Sequence, residues 1–176
     1  MAQIEIWNGD ICDLEVDAIV TPAVGSLWMS TGVAGAIKRA GGDAIEFAAI
    51  RQAPVDLGEA VVTTAGILAA RAVIHAVSLD RDRRTSAEVL EAAVRSAMAR
   101  AREIGATSVA FPALGSGVGG FPLEEGARIT VTAVRDELPA SPTIAHVVFA
   151  LRGSAAYQAF SQALQEATAM SSGASQ

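Results

Sequence analysis

The stretch SVAFPALGSGVGGFPLEEGARITVTAVRDEL, residues 108–138, holds an apolar run, then four glycines and a serine within six positions, then a helical pattern. SVAF is short, apolar and closed by a proline, as a buried strand would be, and LEEGARITVTAVRDEL repeats its apolar residues with the helical period. The piece is therefore one strand-loop-helix step. Glycine adds backbone entropy to the unfolded state, so four of them so close together are costly in a simple connection. Either the loop is a loose turn, or its backbone turns with positive φ or lies against a ligand.

Working outward, the same step recurs. IEIW (4–7), DAIVT (17–21), AVVTT (60–64), AVIHAV (72–77) and HVVFAL (146–151) read as further strands, several apolar on both faces, as in a sheet covered on two sides. VAGAIKRAG after Thr31, DAIEFAAIR, TSAEVLEAAVRSAMARAREIG from Thr85, and AAYQAFSQALQEA read as helices. Ser86 with Glu88 and Glu91 behind it marks a helix start, and Gly105 a stop. The alternation predicts a three-layer α/β/α sandwich around a central, mostly parallel sheet of about six strands. EAVVTTAGILAARAVIHAV (59–77) gives two adjacent strands with no helix between, which makes the sheet mixed. No repeat or linker divides the chain. Residues 1–168 form one expected domain, and the Ser, Gly and Ala tail 169–176 is expected to be disordered.

Composition narrows the chemistry. The chain has 176 residues, 51% of them hydrophobic and 18% charged, enough for a core of its own. No apolar run approaches the roughly 20 residues that span a bilayer, and the start MAQIEIWNGD carries no basic region followed by an apolar one. A cytoplasmic protein without a membrane partner is expected. Cys12 is the single cysteine and only His75 and His146 stand beside it, so neither an intramolecular disulfide nor a metal site is expected. The net charge of −6 is the wrong sign for gripping a nucleic-acid backbone, and nucleic acid is not an expected partner. Lys38 is the only lysine, so an anion would have to be held by backbone amides, helix N-termini or a few arginines.

In open α/β sheets, ligands sit beyond the carboxyl ends of strands. TPAVGSLWMSTG (21–32), leading into a helix at Val33, and the glycine loop, leading into a helix near Leu123, both qualify. A helix N-terminus carries unpaired N–H groups and about half a positive charge, so two such ends facing one cleft could clamp a diphosphate. A P-loop is excluded because GSGVGG is not followed by Lys and Ser or Thr, and the glycine spacing fails the dinucleotide fingerprint. NGDI (8–11) follows the first strand directly. Its aspartate either accepts a hydrogen bond from an exocyclic amino group such as that of adenine, or caps a turn, the commoner use.

These elements in this order resemble the macro domain family, whose members bind ADP-ribose. The resemblance runs from about Ile4 to Ala167 through GDI (9–11), VDAIV (16–20), GVAGAIKRAGG (32–42), GEAVVT (58–63), VIHAV (73–77), FPALGSGVGGFP (111–122) and VVFAL (147–151). It implies that Asp10 takes the adenine amino group, with an Ile11 backbone amide nearby. It also implies that the loop ending at Gly32 and Val33 and the loop Ser116, Gly117, Val118, Gly119, Gly120 wrap the diphosphate and distal ribose.

The departures from the family pattern fall at the reacting end. Where many members read NAAN this chain reads TPAV, so Thr21 and Val24 replace asparagines that usually contact the distal ribose. Ala34 replaces an aspartate used by one hydrolytic branch, and a glycine triplet becomes Ser30, Thr31, Gly32. Gly119 falls where an aromatic often packs on the distal ribose, and Arg152 where one often stacks on adenine, a role guanidinium can keep. Trp28 or Phe121 is the substitute cover for the ribose, simple packing being the alternative for both.

Two functions follow from the resemblance. One is a hydrolase that removes mono-ADP-ribose from acidic side chains of modified proteins, with a substrate phosphate oxygen positioning the water. Positioning can supply up to about 7 to 11 kcal/mol of a barrier. The other is a module that reads ADP-ribose or a related metabolite without turnover. The lost polar groups favour the reader, and the lack of a second domain in this chain favours the hydrolase, towards which the reading leans. No cofactor is required. Asp80 and Asp82 in SLDRDRRTS are the nearest candidates for a base, although a solvated charged turn explains them as well. His75 is expected to be a buried strand residue.

Overall fold

The computed structural model describes residues 1–117 and 119–174. Six strands form one sheet: β1 (Gln3–Asn8), β2 (Ala18–Ala23), β3 (Ala60–Thr64), β4 (Ala72–Val77), β5 (Ser108–Phe111) and β6 (His146–Leu151). Their order is β1-β6-β5-β2-β4-β3. All neighbours are parallel except β3 and β4, the two strands with no helix between them. The expected mixed, mostly parallel sheet is what the chain forms.

Successive residues of the central strands face opposite layers, as the period of a strand requires. Val20, Phe111 and Phe149 pack with α3 (Ala87–Glu103), α4 (Leu123–Glu137) and α5 (Ser154–Gly173), while Ile19, Ala110 and Val148 face α1 (Gly32–Gly41) and α2 (Ala44–Ile50). Both faces are thus covered, which is why these strands read as continuous apolar runs rather than alternating ones. Ser86 caps α3 by accepting from Val89 N at 3.3 Å, and Gly105, at φ 69°, ends it in the left-handed region.

The helix α5 continues to Gly173, beyond the point where the sequence reading ends ordered structure. Arg135 of α4 donates to Thr168 Oγ1 at 3.2 Å and Ser171 Oγ at 2.8 Å, tying the last turns down. Extending a helix that is already nucleated costs little, even through small residues. Among the described residues no helix is long and apolar enough to cross a membrane.

The sheet opens at one place. β2 pairs with β4 along its whole length, Ala18 to Ala23, but with β5 only at Ala18 and Ile19. Pro22, which has no N–H to give a ladder, stands past the last β5 pairing. From β2 the chain turns through α1 and α2 towards the β3 edge. From β5 it turns through α4 towards β6. The loops after β2 and β5 therefore leave in opposite directions, which is the topological switch point where such sheets form a crevice.

Candidate functional site

A cleft of about 480 Å³ lies at that switch point. Its walls come from four segments at the carboxyl ends of strands: Gly9–Ile11 after β1, Pro22–Val24, Trp28 and Ser30–Ala34 from the end of β2 onward, Leu79 and Arg83 after β4, and Pro112, Ala113, Gly115–Gly117 and Gly119 after β5, with Arg152 after β6 closing one side.

The α1 wall carries the donors. Thr31 stands at the N-cap with an extended backbone, yet its hydroxyl makes no capping bond. Gly32, at φ 62°, turns the chain sharply into the helix. Gly35 N reaches Thr31 O at 3.1 Å, but the N–H groups of Gly32, Val33 and Ala34 find no acceptor among the described residues. All three residues line the cleft. Unpaired first-turn amides together with the helix dipole make this wall attractive to an anion.

The glycine loop supplies the opposite wall. Gly115, at φ 80°, and Gly120, at φ 63°, have the positive φ that the sequence suggested, and Phe121 N closes the loop on Gly115 O at 2.9 Å. Ser116 donates its hydroxyl to Ala113 O at 3.0 Å. The N–H groups of Ser116 and Gly117 have no acceptor among the described residues, and both residues line the cleft. A Cβ on Gly117 would meet nothing within 4 Å, whereas one on Gly119 would come within 2.8 Å of Gly115 O and 3.0 Å of Leu79. An aromatic cannot occupy position 119 in this loop without displacing backbone.

Asp10 caps a turn and also faces the cleft. Its Oδ1 accepts from Cys12 N at 2.9 Å and caps the single 3-10 turn Ile11–Asp13, while Oδ2 accepts from Arg152 Nη2 and the residue faces the cleft. The Cys12 amide, with the Arg152 guanidinium beside it, holds the Asp10 carboxyl below its ordinary value. Next to it, burial and the Asp10 carboxylate push the Cys12 thiol up to about 11, so that sulfur stays protonated and unreactive.

Of the residues expected from the sequence, Asp10, Ile11, Gly32, Val33, Ser116, Gly117, Gly119 and Arg152 line the cleft. Thr21, Gly120 and Phe121 do not. Thr21 is fully buried within β2, opposite His75. Phe121 packs against Gly115 and Gly126 under the loop. Gly120 serves the turn. Val118 lies outside the described residues. Of the two aromatic substitutes, Trp28 lines the cleft and is 58% exposed.

A helix end differs from expectation as well. The first-turn residues of α4, Leu123 to Glu125, are absent from the cleft lining, and two of them are acidic. Carboxylates there already complement that dipole, so the loop amides face the cleft in its place. Asp80 is likewise occupied: its Oδ1 accepts from the backbone of Asp82 and Arg84, both at 2.9 Å, and neither Asp80 nor Asp82 lines the cleft. His75 is fully buried, bonded through Nε2 to Thr63 Oγ1 at 2.8 Å.

Sequence reasoning missed Arg83, Arg39, Leu79 and Pro22, all of which line the cleft. Arg39 was legible only as part of a helix. Pro22 carried a signal: a proline inside an apolar strand cannot donate to a ladder, so one side of the strand is open there. Also missed was the anchor of the β2–α1 loop, where buried Glu46 accepts from Met29 N and from Lys38 Nζ, both at 2.8 Å.

A family model for the Macro domain matches residues 20–130. A protein of Mycobacterium tuberculosis is 46% identical over 165 residues, covering 94% of this chain and 45% of its own length. The chain thus spans less than half of that relative. A macro domain-containing protein of Caldanaerobacter subterraneus is 39% identical, covering 93% of this chain and 97% of its own. Among solved structures, a macrodomain of Trypanosoma brucei in complex with ADP superposes with a TM-score of 0.85 at 27% identity, covering 92% of this chain and 68% of that one. A mutant macrodomain of Oceanobacillus iheyensis with ADPR gives 0.87 at 26%, covering 95% and 94%.

Proposed function

Since the chain belongs to the macro domain family, we propose that its cleft binds ADP-ribose and that the domain hydrolyses mono-ADP-ribose from acidic side chains of modified cytoplasmic proteins. The observation that carries the reading is the pair of amide sets on facing walls, Gly32 to Ala34 and Ser116 to Gly117, none paired among the described residues. A diphosphate between them would receive several N–H donors at once, which suits an acidic protein with one lysine. Asp10, on the wall after β1, would take the exocyclic amino group of adenine, and Arg152 would lie on the base.

The reaction proposed for this site needs little from side chains. Water adds to the anomeric carbon of the distal ribose, the bond from that carbon to the ester oxygen breaks, and the carboxylate leaves with its electron pair. A phosphate oxygen of the substrate positions the water, whose proton passes to solvent. Among the described lining residues Asp10 is the only carboxylate, and it is engaged by Cys12 and Arg152. That favours substrate assistance over a protein base.

The same observation favours a second reading, a module that binds ADP-ribose without turnover. More than half of the mycobacterial relative lies outside the matched stretch, so the want of a second domain here does not weigh against it. The two readings part in one experiment: the protein is incubated with a peptide carrying labelled mono-ADP-ribose on glutamate, with Gly117→Glu as control. Label released by the wild type and not by the variant supports the hydrolase. Label retained while the wild type binds the peptide makes it a reader, and no binding at all overturns both.

A further inference from the structure

Arg83 occupies an unusual place in this cleft. It sits in the β4–α3 connection at φ 60°, in the left-handed region that a long side chain rarely adopts. The turn around Asp80 holds it there: Arg83 N donates to Asp80 O, and Asp80 N to Arg84 O, both at 2.9 Å. From that position the guanidinium reaches across to the β2–α1 loop, with Nη1 donating to Thr31 Oγ1 at 2.7 Å and Nη2 to Ser30 Oγ at 3.0 Å. These two hydroxyls belong to the residues immediately before α1.

Two features accompany these bonds. Thr31 stands at the N-cap with its hydroxyl oxygen accepting from Arg83 and making no bond to the helix, and the amides of Gly32, Val33 and Ala34 are open towards the cleft. The guanidinium itself is bonded to neutral acceptors, and among the described residues no carboxylate lies within ion-pairing distance of it. Lys38 is paired with Glu46 and Arg152 with Asp10. Arg83 is thus a fork-shaped cation, held in place, without a counter-ion, at the mouth of a cleft whose wall offers unpaired amides.

We infer that Arg83 is a ligand-binding residue that sets the preference of this cleft for anionic nucleotides: its guanidinium exchanges the hydroxyls of Ser30 and Thr31 for phosphoryl oxygens of the bound ligand. A charge-assisted, bidentate bond to phosphate is stronger than two bonds to neutral hydroxyls, so the exchange is favourable, and little side-chain freedom is lost because the fork is already held. The inference rests on the ADP-ribose reading of the cleft. Its signature is electrostatic: affinity carried by Arg83 weakens as salt rises.

The test measures ADP-ribose binding by calorimetry, at low and high ionic strength, for the wild type, Arg83→Gly and Arg83→Lys. Glycine suits the positive φ, so the loop keeps its course while the charge is removed. The expected result is a loss of about tenfold for Arg83→Gly at low ionic strength, narrowing at high, with Arg83→Lys binding more tightly than Arg83→Gly. Unchanged affinity in Arg83→Gly, or equal losses in both variants at both ionic strengths, overturns the inference, the second result meaning that Arg83 merely holds a loop. Failure of the wild type to bind ADP-ribose is a different result, since it removes the ligand reading itself before any variant is compared.

Discussion

Arg152 donates from Nη2 to Oδ2 of Asp10, joining the residue just after β6 to the residue two past the end of β1. The two are 142 positions apart in the chain and meet because β1 and β6 are parallel neighbours that end side by side, Asn8 opposite Leu151. The Cys12 amide, with the Arg152 guanidinium beside it, holds the Asp10 carboxyl below its ordinary value, and the two bonds fix its orientation. Replacing Asp10 with Ala should weaken ADP-ribose binding about tenfold, the usual worth of a hydrogen bond to a charged group, and leave ribose 5-phosphate binding within about twofold. Titration calorimetry with both ligands checks this. Equal losses for the two ligands would remove Asp10 from base recognition and leave it as a turn cap.

Gly117→Glu should abolish ADP-ribose binding without unfolding the domain. A Cβ at this position meets nothing within 4 Å, and the backbone there is not in the left-handed region, so the side chain costs the fold little. Its carboxylate would stand among the amides proposed for the diphosphate, bringing like charges together. Thermal melting should stay within a few degrees of the wild type while binding is lost; retained affinity would put the diphosphate elsewhere.

His75 should make stability depend on pH in a defined window. Burial lowers its pKa from 6.5 to about 4, and the ring is neutral in the fold. The unfolded chain takes up a proton near pH 6.5 that the folded chain refuses until about pH 4. The stabilisation is therefore complete above pH 6.5 and is lost as pH falls through that interval, for a total of about 3 kcal/mol. Urea unfolding of the wild type and of His75→Phe at several pH values should show the wild type losing stability relative to the variant on acidification. A pH-independent difference would mean that the folded ring takes up its proton at the same pH as the unfolded chain.

Glu46 is the anchor to test for the β2–α1 loop. Burial raises its carboxyl pKa, but the bonds from Lys38 and Met29 more than offset this and leave it below the ordinary value. Glu46→Ala orphans the buried Met29 N–H and should cost about 1 to 3 kcal/mol. Glu46→Gln keeps an acceptor and should cost less. Because the folded pKa is lowered, the charge-dependent part is present above the unfolded value near pH 4.3 and vanishes as pH falls through the folded one, so wild type and Glu46→Gln should converge in acid. Denaturant melts at neutral and acid pH decide this, and a gap that persists in acid would assign the loss to packing.

The strands and α-helices were legible because each is a local matter. Short Val- and Ile-rich runs such as VIHAV favour a strand over a helix, and Ser86 and Gly105 bound a helix by chemistry that acts within one turn. The glycine loop was legible for the same reason, since positive φ at Gly115 and Gly120 is a property of the residue before it is one of the fold. What depended on neighbours across the sheet was not legible. Thr21 sits in a motif position that pointed to the cleft, yet it is buried inside β2, and Pro22 to Val24 line the wall in its place. Arg83 stood in a charged run that read as a solvated turn, and its bonds to Ser30 and Thr31 span more than fifty positions. Sequence by itself determined the elements, their capping and the loop that must be glycine, because those follow from backbone entropy and hydrophobic period. Only the tertiary structure decided which loops face one another, because that depends on the strand order and on the point past Ile19 where β2 and β5 cease to pair.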